Sequence, residues 1–249
     1  MTFRIAHLNM EKDCHRWDIR RHMIVDQLAA VAPDIFGMNE ISIPRQTARW
    51  MQAQASERIG HRYALVQQTK PNGGTKIEAE GVLTRFPILE TSNLDYQAYG
   101  YVALVARMEI EERLVDVYVT HLYRSAGEES LRVFQVSQLL EWIDSRDDVD
   151  AQIVCGDFNA MPDAPAAKRM AETFRPSQTE PTAFTLLSDE TQGMAHPDWK
   201  RMDHCFDYIW VRGPLEVGES KVCFNEPDPD DDTLWPSDHA GVWADISWV

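Results

Sequence analysis

Gln152-Ile153-Val154-Cys155-Gly156-Asp157-Phe158-Asn159-Ala160-Met161-Pro162-Asp163 joins an apolar run of strand length to a carboxylate and a carboxamide two residues apart. Side chains of an extended strand alternate between its two faces, so Asp157 and Asn159 share one side while Phe158 points the other way, into a core. A buried strand that empties into paired polar groups is a common place for a sheet protein to keep its chemistry. The plainer reading is an Asx turn, in which Asp157 and Asn159 only bond nearby backbone amides. The surrounding chain has to decide between them.

Around this stretch lie 249 residues, enough for one large domain or two small ones, and for a core that needs no staples. Hydrophobic residues make up 44% and aromatic residues 10%, the balance of a soluble globular protein. Lys and Arg number 24 against 40 Asp and Glu, for a net charge of −16. The average surface therefore repels a polyanion such as duplex DNA, and nucleic acid remains a possible partner only through a local basic groove. Cys14, Cys155, Cys205 and Cys223 are far apart with no CxxC pair, which argues against a disulfide framework and a structural zinc site. No charged-then-apolar leader opens the chain, and no apolar run approaches the roughly 18 residues of a membrane span. The expected setting is soluble and cytoplasmic.

Taken in order, Phe3–Leu8 reads as a first strand ending at Asn9-Met10-Glu11. Trp17, Ile19, Met23, Ile24, Leu28 and Val31 then recur at helical spacing, closed by Pro33. A second strand, Asp34–Glu40, ends on a carboxylate, and a second helix is expected over Arg45–Ile59. Short strands follow: Tyr63–Gln68, then Gly81–Ile88 broken by Pro87, with the turn-rich Lys70–Gly74 between them. Tyr101–Ile110 and Leu114–His121 form a hairpin about Glu111-Glu112-Arg113. Leu131, Phe134, Leu139, Trp142 and Ile143, with Val133, Val136 and Leu140, mark a broad apolar helix face. Beyond the central strand come a helix over Ala164–Phe174, a surface excursion over 175–205, and strands at Cys205–Val211 and Val217–Phe224. An acidic, proline-broken loop from Asn225 to Trp235 precedes a last strand, Ala240–Trp248. Without a repeat or a low-complexity linker, residues 1–249 read as a single domain. Helices alternate with strands in each half, which predicts two packed sheets with helices outside.

The strand ends deliver Asn9, Glu11, Glu40, His121, Asp157, Asn159, Asp207, Asp238 and His239. Unpaired carboxylates among apolar residues are costly, and a cation is the simplest remedy for several in one crevice. Oxygen donors without thiolates favour Mg²⁺ or Mn²⁺, which leave room for phosphate oxygens. A histidine beside a carboxylate suits proton handling near neutral pH.

Asn9 after the first strand, Pro33–Glu40 ending in Asn39-Glu40, Thr84-Arg85-Phe86-Pro87-Ile88, Thr120-His121-Leu122, Gly156-Asp157-Phe158-Asn159, Phe206-Asp207-Tyr208-Ile209 and Ser237-Asp238-His239 occur in the order of the endonuclease/exonuclease/phosphatase superfamily, which the chain resembles over nearly its whole length. The resemblance implies a DNase I-like four-layer α/β sandwich, with two mixed sheets face to face and helices outside. It also implies divalent-metal hydrolysis of a phosphoester. By the same resemblance Glu40 is the principal metal ligand with Asn9 beside it, Asp238 lies at or near the metal, and Glu11 is a possible second ligand. His121 would hydrogen-bond the scissile phosphate, Asp157 orient or deprotonate the attacking water, and Asn159 steady that water or a phosphate oxygen. Asp207 would hold His239 in its working tautomer. The chain departs from the pattern at Asn39, where Gln is usual, and at Thr84, where Ser is common.

Other polar clusters read more plainly. His7, His15, His22 and His61 have no supporting pattern and are expected to be ordinary histidines. His196, Asp198, Asp203, His204 and Cys205 match no established zinc spacing and read as a polar substrate loop. Asp228, Asp230 and Asp232 start like a calcium loop but lack its Gly and closing Glu, so a solvated acidic loop is expected. The net charge of −16, the acidic run before Asp238, and scattered cations without interleaved aromatics favour a small or lipid-like phosphoester as substrate. A nuclease on short or single-stranded substrate is the alternative. A silent binding module is a third, although none of Glu40, Asp157, Asp238 and His239 is lost.

Overall fold

The computed structural model describes residues 1–12, 14–71, 77–125, 127–178, 186–187 and 202–249. The chain opens with β1 (Thr2–Asn9), α1 (Trp17–Val31), β2 (Ile35–Ser42) and α2 (Thr47–Ile59). Five strands follow: β3 (Ala64–Thr69), β4 (Glu78–Thr84), β5 (Ile88–Asp95), β6 (Val102–Ile110) and β7 (Arg113–His121). Next come α3 (Glu129–Asp144), β8 (Ala151–Asp157) and α4 (Pro165–Ala171), then the short strands β9 (Arg175–Pro176), β10 (Leu186–Leu187) and β11 (Met202–His204). β12 (Asp207–Arg212), β13 (Leu215–Cys223) and β14 (Gly241–Trp248) complete the chain.

These strands form two mixed six-stranded sheets, ordered β13-β14-β1-β2-β4-β3 and β5-β6-β7-β8-β12-β9, with β10 and β11 paired apart from them. Each large sheet has a parallel pair at its centre, β1 with β2 and β7 with β8, whose crossovers are α1 and α3. Three apolar clusters divide the interior. Phe3, Ile5, Ile35, Val117, Ile153 and Ile209 pack between the sheets. Leu8, Phe36 and Met38 pack against Ile24 and Leu28 of α1 and Met51 of α2. Tyr118, Val154 and Phe158 pack against Leu139 of α3 and Met170 of α4. The expected four-layer α/β sandwich is the observed one.

Strand parity places the polar groups. Phe3 and Ile5 face the opposite sheet, and two more steps of the same alternation bring His7 and Asn9 to that face. Ile35 is followed in the same way by Gly37 and Asn39, and Ile153 by Cys155 and Asp157. Reading β4 backwards from Val82 gives Glu80 and Glu78. The slot between the sheets is thus hydrocarbon along most of its length and polar at one end. Lateral register then aligns the rows: Asn9 is level with Asn39, and Asp157 lies between His121 on one side and Asp207 on the other.

Several boundaries differ from expectation. β5 was not anticipated, because Ile88–Asp95 is a largely exposed edge strand with little apolar alternation. β4 begins at Glu78, three residues before Gly81, since two glutamates in its first turns masked the strand. The hairpin turns on Glu111 and Glu112, both at positive φ, and Arg113 already belongs to β7. The 72–74 part of the expected Lys70–Gly74 turn and most of the 175–205 excursion lie outside the described residues.

Two glycines permit the close approach of neighbours. A Cβ on Gly37 would stand 2.4 Å from Cys155 Sγ across the slot, and one on Gly156 would stand 1.9 Å from the Thr120 carbonyl oxygen of β7. The second neighbour is backbone in a paired strand and has nowhere to go. Gly156→Ala should therefore destabilise the protein by at least about 1–3 kcal/mol, the usual scale of overpacking. A urea midpoint equal to that of wild type would contradict this packing.

Candidate active site

The Asn39 carboxamide organises the polar end of the slot. Its Oδ1 accepts the Asp157 backbone N–H at 2.8 Å and lies 2.9 Å from His7 Nε2, while its Nδ2 donates to Glu80 Oε2. The first bond crosses between the sheets. Because Oδ1 must accept from a backbone amide, the ring nitrogen of His7 beside it carries a proton. His7 Nδ1 then lies 3.5 Å from Asp207 Oδ1.

Asp157 sits at the centre of the cluster. Its Oδ1 accepts the Asn159 backbone N–H at 2.8 Å, and Asn159, at φ 47, turns its own amide to the Leu122 carbonyl at 3.1 Å. Asp157 Oδ2 accepts from Asn9 Nδ2 at 3.1 Å and faces two imidazoles, His121 Nε2 at 3.6 Å and His239 Nε2 at 3.7 Å. His239 Nδ1 donates to Asp207 Oδ2 at 2.8 Å, which directs its Nε2 towards Asp157. Both readings of this stretch hold at once: Asp157 makes the Asx turn with one oxygen and presents the other to the cluster.

Burial and neighbouring charge set the two imidazoles apart. Burial, with the nearby Lys70 and Lys12 ammonium groups, pushes the His121 pKa well below its ordinary value. Burial also works against charge on His239, but Asp207 and Asp157 outweigh it and raise that pKa well above the ordinary value. At neutral pH His121 is neutral and His239 is an imidazolium. Burial pushes the Asp157 carboxyl up to about 7, the His239 charge opposing and Asp207 adding to the rise. A group poised near neutrality between a neutral and a charged imidazole is equipped for general acid–base work.

Across the slot stands Glu40, at φ 56 where the pairing of β2 with β4 shifts register. Burial opposes its charge, yet the Lys12 ammonium at 3.7 Å and the Lys12 backbone N–H at 2.9 Å hold its carboxyl below the ordinary value. Burial raises the Asp238 carboxyl, with His239 opposing and the charge of Glu40 adding to the rise. Ser237 Oγ bonds the Asn9 carbonyl at 2.6 Å and so fixes the Asp238 loop to β1. Glu11 is committed elsewhere: Arg20 binds it at 2.7 Å and the His15 ring at 2.8 Å. Arg20, fully buried, also bonds the carbonyls of Met10, His15 and Pro236, clamping the loops that carry Asn9 and Asp238.

Two places could hold a cation. Glu40, Asp238 and Asn9 offer oxygen donors, and the repulsion between the two carboxylates is a deficit of positive charge that a divalent ion would relieve. Asp157, Asp207 and His239 also bring ligand atoms within 4.8 Å of one another. There, however, Asp207 Oδ2 and His239 Nδ1 share a proton that an ion would have to displace. The oxygen set fits a hard divalent cation better.

All nine residues singled out from the sequence lie at this end of the molecule, and Glu11 has both oxygens engaged by His15 and Arg20. Sequence reasoning missed three members. His7 was expected to be ordinary and instead donates to Asn39 from Nε2, with its Nδ1 3.5 Å from Asp207 Oδ1. Glu80 and Glu78, beside Lys70 at 2.9 and 3.2 Å, form a buried charge cluster that reaches His121 through Lys70 Nζ at 3.2 Å. The available signal was parity, since His7 is two residues before Asn9 and the glutamates are two and four before Val82. Of the suggested zinc cluster, His196 and Asp198 lie outside the described residues. In the acidic loop Asp228 Oδ1 accepts the Asp230 and Asp231 amides, an Asx turn.

Comparison with known proteins agrees with this fold. Nocturnin of Rattus norvegicus is 26% identical over 262 residues, covering 94% of this chain and 59% of that protein. Nocturnin of Xenopus laevis is 25% identical, covering 94% and 65%. The chain thus spans about three fifths of the length of these curated relatives. Among solved structures, D. rerio TDP2 complexed with single strand DNA product superposes with a TM-score of 0.80 at 16% identity, over 99% of both chains. The human Nocturnin catalytic domain with bound sulfate anion gives 0.78 at 22% identity, over 100% of this chain and 94% of that one. Among the described residues no helix is long and apolar enough to cross a membrane. Residues 6–239 match the profile of the Endonuclease/Exonuclease/phosphatase family, and the chain belongs to that family of divalent-metal phosphoester hydrolases.

Proposed function

We propose that residues 1–249 form one catalytic domain, a Mg²⁺- or Mn²⁺-dependent phosphodiesterase acting on a small or short phosphoester rather than on duplex nucleic acid. The observation that carries this reading is Asp157 Oδ2, set between the neutral His121 and the His239 imidazolium with Asp207 behind. Phosphoester hydrolysis needs a positioned water, neutralised non-bridging oxygens and a stabilised leaving oxygen. Asp157, held by Asn9 and Asn159, orients the water and takes its proton. His121 hydrogen-bonds a non-bridging oxygen, and the His239 imidazolium, kept charged by Asp207, faces the charge that develops on the phosphoryl group. Glu40, Asn9 and Asp238 would hold the cation, which supplies Lewis-acid stabilisation of the phosphate. Glu11 supports that set indirectly, by anchoring the loop after β1 to Arg20.

The net charge of −16 supports a small substrate, whether soluble or lipid-like. A short single strand is the second reading, favoured by the structural relative that holds a single-strand DNA product. The sulfate on the human Nocturnin domain supports phosphate recognition in either case.

Three measurements test this. EDTA-treated protein should fail to hydrolyse bis(p-nitrophenyl) phosphate and regain activity with Mg²⁺ or Mn²⁺, whereas Glu40→Ala should not be rescued at the same concentrations. Activity that ignores chelation would refute the mechanism. Asp157→Ala should lower kcat by roughly 10²–10⁴, the scale of a lost general acid–base group, with circular dichroism unchanged; near-wild-type turnover would remove Asp157 from the chemistry. The logarithm of kcat/KM should fall only shallowly with the logarithm of salt concentration, since few phosphates are neutralised. A steep decline would instead indicate a polymeric substrate.

A further inference from the structure

Four rings form a continuous ladder outward from His121. Tyr101 meets His121 edge-on with centroids 5.3 Å apart, Tyr123 meets Tyr101 edge-on at 5.6 Å, and Tyr99 stacks on Tyr123 at 4.7 Å and 28°. Exposure grows along it: His121 and Tyr101 are buried, Tyr123 is half-buried, and Tyr99 is 77% exposed. The outermost ring thus has one face covered by Tyr123 and the other open to water.

The backbone holds it there. Tyr99 has φ 54, in the left-handed region that bulky residues seldom occupy. The turn is closed by a Tyr101 N–H bond to the Ala98 carbonyl at 3.1 Å and by Gly100 at φ 78, where a Cβ would stand 2.6 Å from the Pro71 carbonyl oxygen. A strained, solvent-facing aromatic contributes little to the core, and strain of this kind gathers where ligands are held.

Cations accompany the rings. Lys70 Nζ lies 4.5 Å from the Tyr101 ring centroid. The Tyr101 hydroxyl faces the Arg124 backbone amide, and the exposed Arg124 is close enough to Lys12 to repel its charge. The loops after β5 and β7 therefore set the exposed Arg124 beside the exposed rings, a pairing the sequence did not display, while Lys70 is buried against Glu78 and Glu80. This combination grips single-stranded nucleic acid, with backbone phosphates on the cations and bases stacked on the rings. A lipid tail finds less. Among the described residues, the other large exposed apolar side chains, Met1, Ile19, Leu89, Phe134 and Val249, lie at the termini or on α1, β5 and α3, not on a strand-end loop.

We propose that Tyr99, backed by Tyr123, is a stacking platform for an unpaired nucleobase of the substrate, which makes the substrate class a short single-stranded nucleotide ester. The proposal rests on the phosphodiesterase reading above and narrows it. With Mn²⁺ present, wild type should prefer thymidine 5′-(p-nitrophenyl) phosphate over its abasic deoxyribose counterpart, which has the same phosphodiester and leaving group. Tyr99→Ala should cut that ratio of kcat/KM values by about 5- to 150-fold, the scale of one base–aromatic stack, and Tyr99→Trp should keep it. A ratio near one in wild type, or one unchanged in Tyr99→Ala, would overturn the platform. Calorimetric binding of thymidine 5′-monophosphate to metal-free protein gives an independent readout and should weaken by a similar factor in Tyr99→Ala. If neither ester is hydrolysed, the phosphodiesterase reading fails and this binding comparison alone decides the platform: weaker binding in the variant supports it, and equal binding overturns it.

Discussion

One hydrogen bond joins the two sheets at the end where the chemistry is gathered, the Asp157 amide to the Asn39 carboxamide at 2.8 Å. Asn39 uses its remaining capacity on His7 and Glu80, so every polar atom of its side chain has a partner within the slot. In a water-poor interior such a network rigidifies its members, and a missing partner leaves buried groups that no solvent can satisfy. The position of Asp157 relative to β1 and β2 therefore follows from a side chain that touches no substrate. Shortening the usual Gln to Asn at this position fits the presence of His7, whose ring fills the step between Asn39 and Asp207.

Charge is balanced on the same plan. Buried Glu80, Asp157 and Asp207 and the half-buried Asp238 face Lys70, His239 and Arg20, all three buried. Burial alone would neutralise most of these groups. Pairing with Asp207 and Asp157 instead keeps His239 charged, while burial and the nearby Lys70 and Lys12 keep His121 neutral, so two identical side chains flank one carboxylate in different states. The net charge of the whole chain says little about this local balance, and the cations near the mouth show how far the two can diverge.

The sandwich was legible because periodicity is a local property. Alternation in β1, β2 and β8 and helical spacing from Trp17 to Val31 can be read within a few residues, and the glycine, carboxylate and histidine landmarks at strand ends named the family. What stayed hidden depended on who lies beside whom. His7 sits between Ala6 and Leu8 with nothing to mark it until β1 is laid parallel to β2. Glu78 and Glu80, beside Lys76 and Ile77, resemble a charged turn more than a strand entering a core. The tyrosine ladder draws on Tyr99, Tyr101 and Tyr123, joined across the β6–β7 hairpin rather than along the sequence. β5 escaped notice for the opposite reason, since an edge strand buries too little to need a pattern.

β14 pairs with β1 from Thr2 opposite Ser247 to His7 opposite Val242, and Asp238 and His239 immediately precede β14. A ribosome makes Asn9 early and His239 more than two hundred residues later. Contacts so distant along the chain form late, after their loop-closure entropy has been met. The nascent polypeptide can therefore collapse, pair its central strands and bury its helices while still lacking the imidazolium and carboxylate that complete the candidate site. The candidate site is closed by the docking of the last strand.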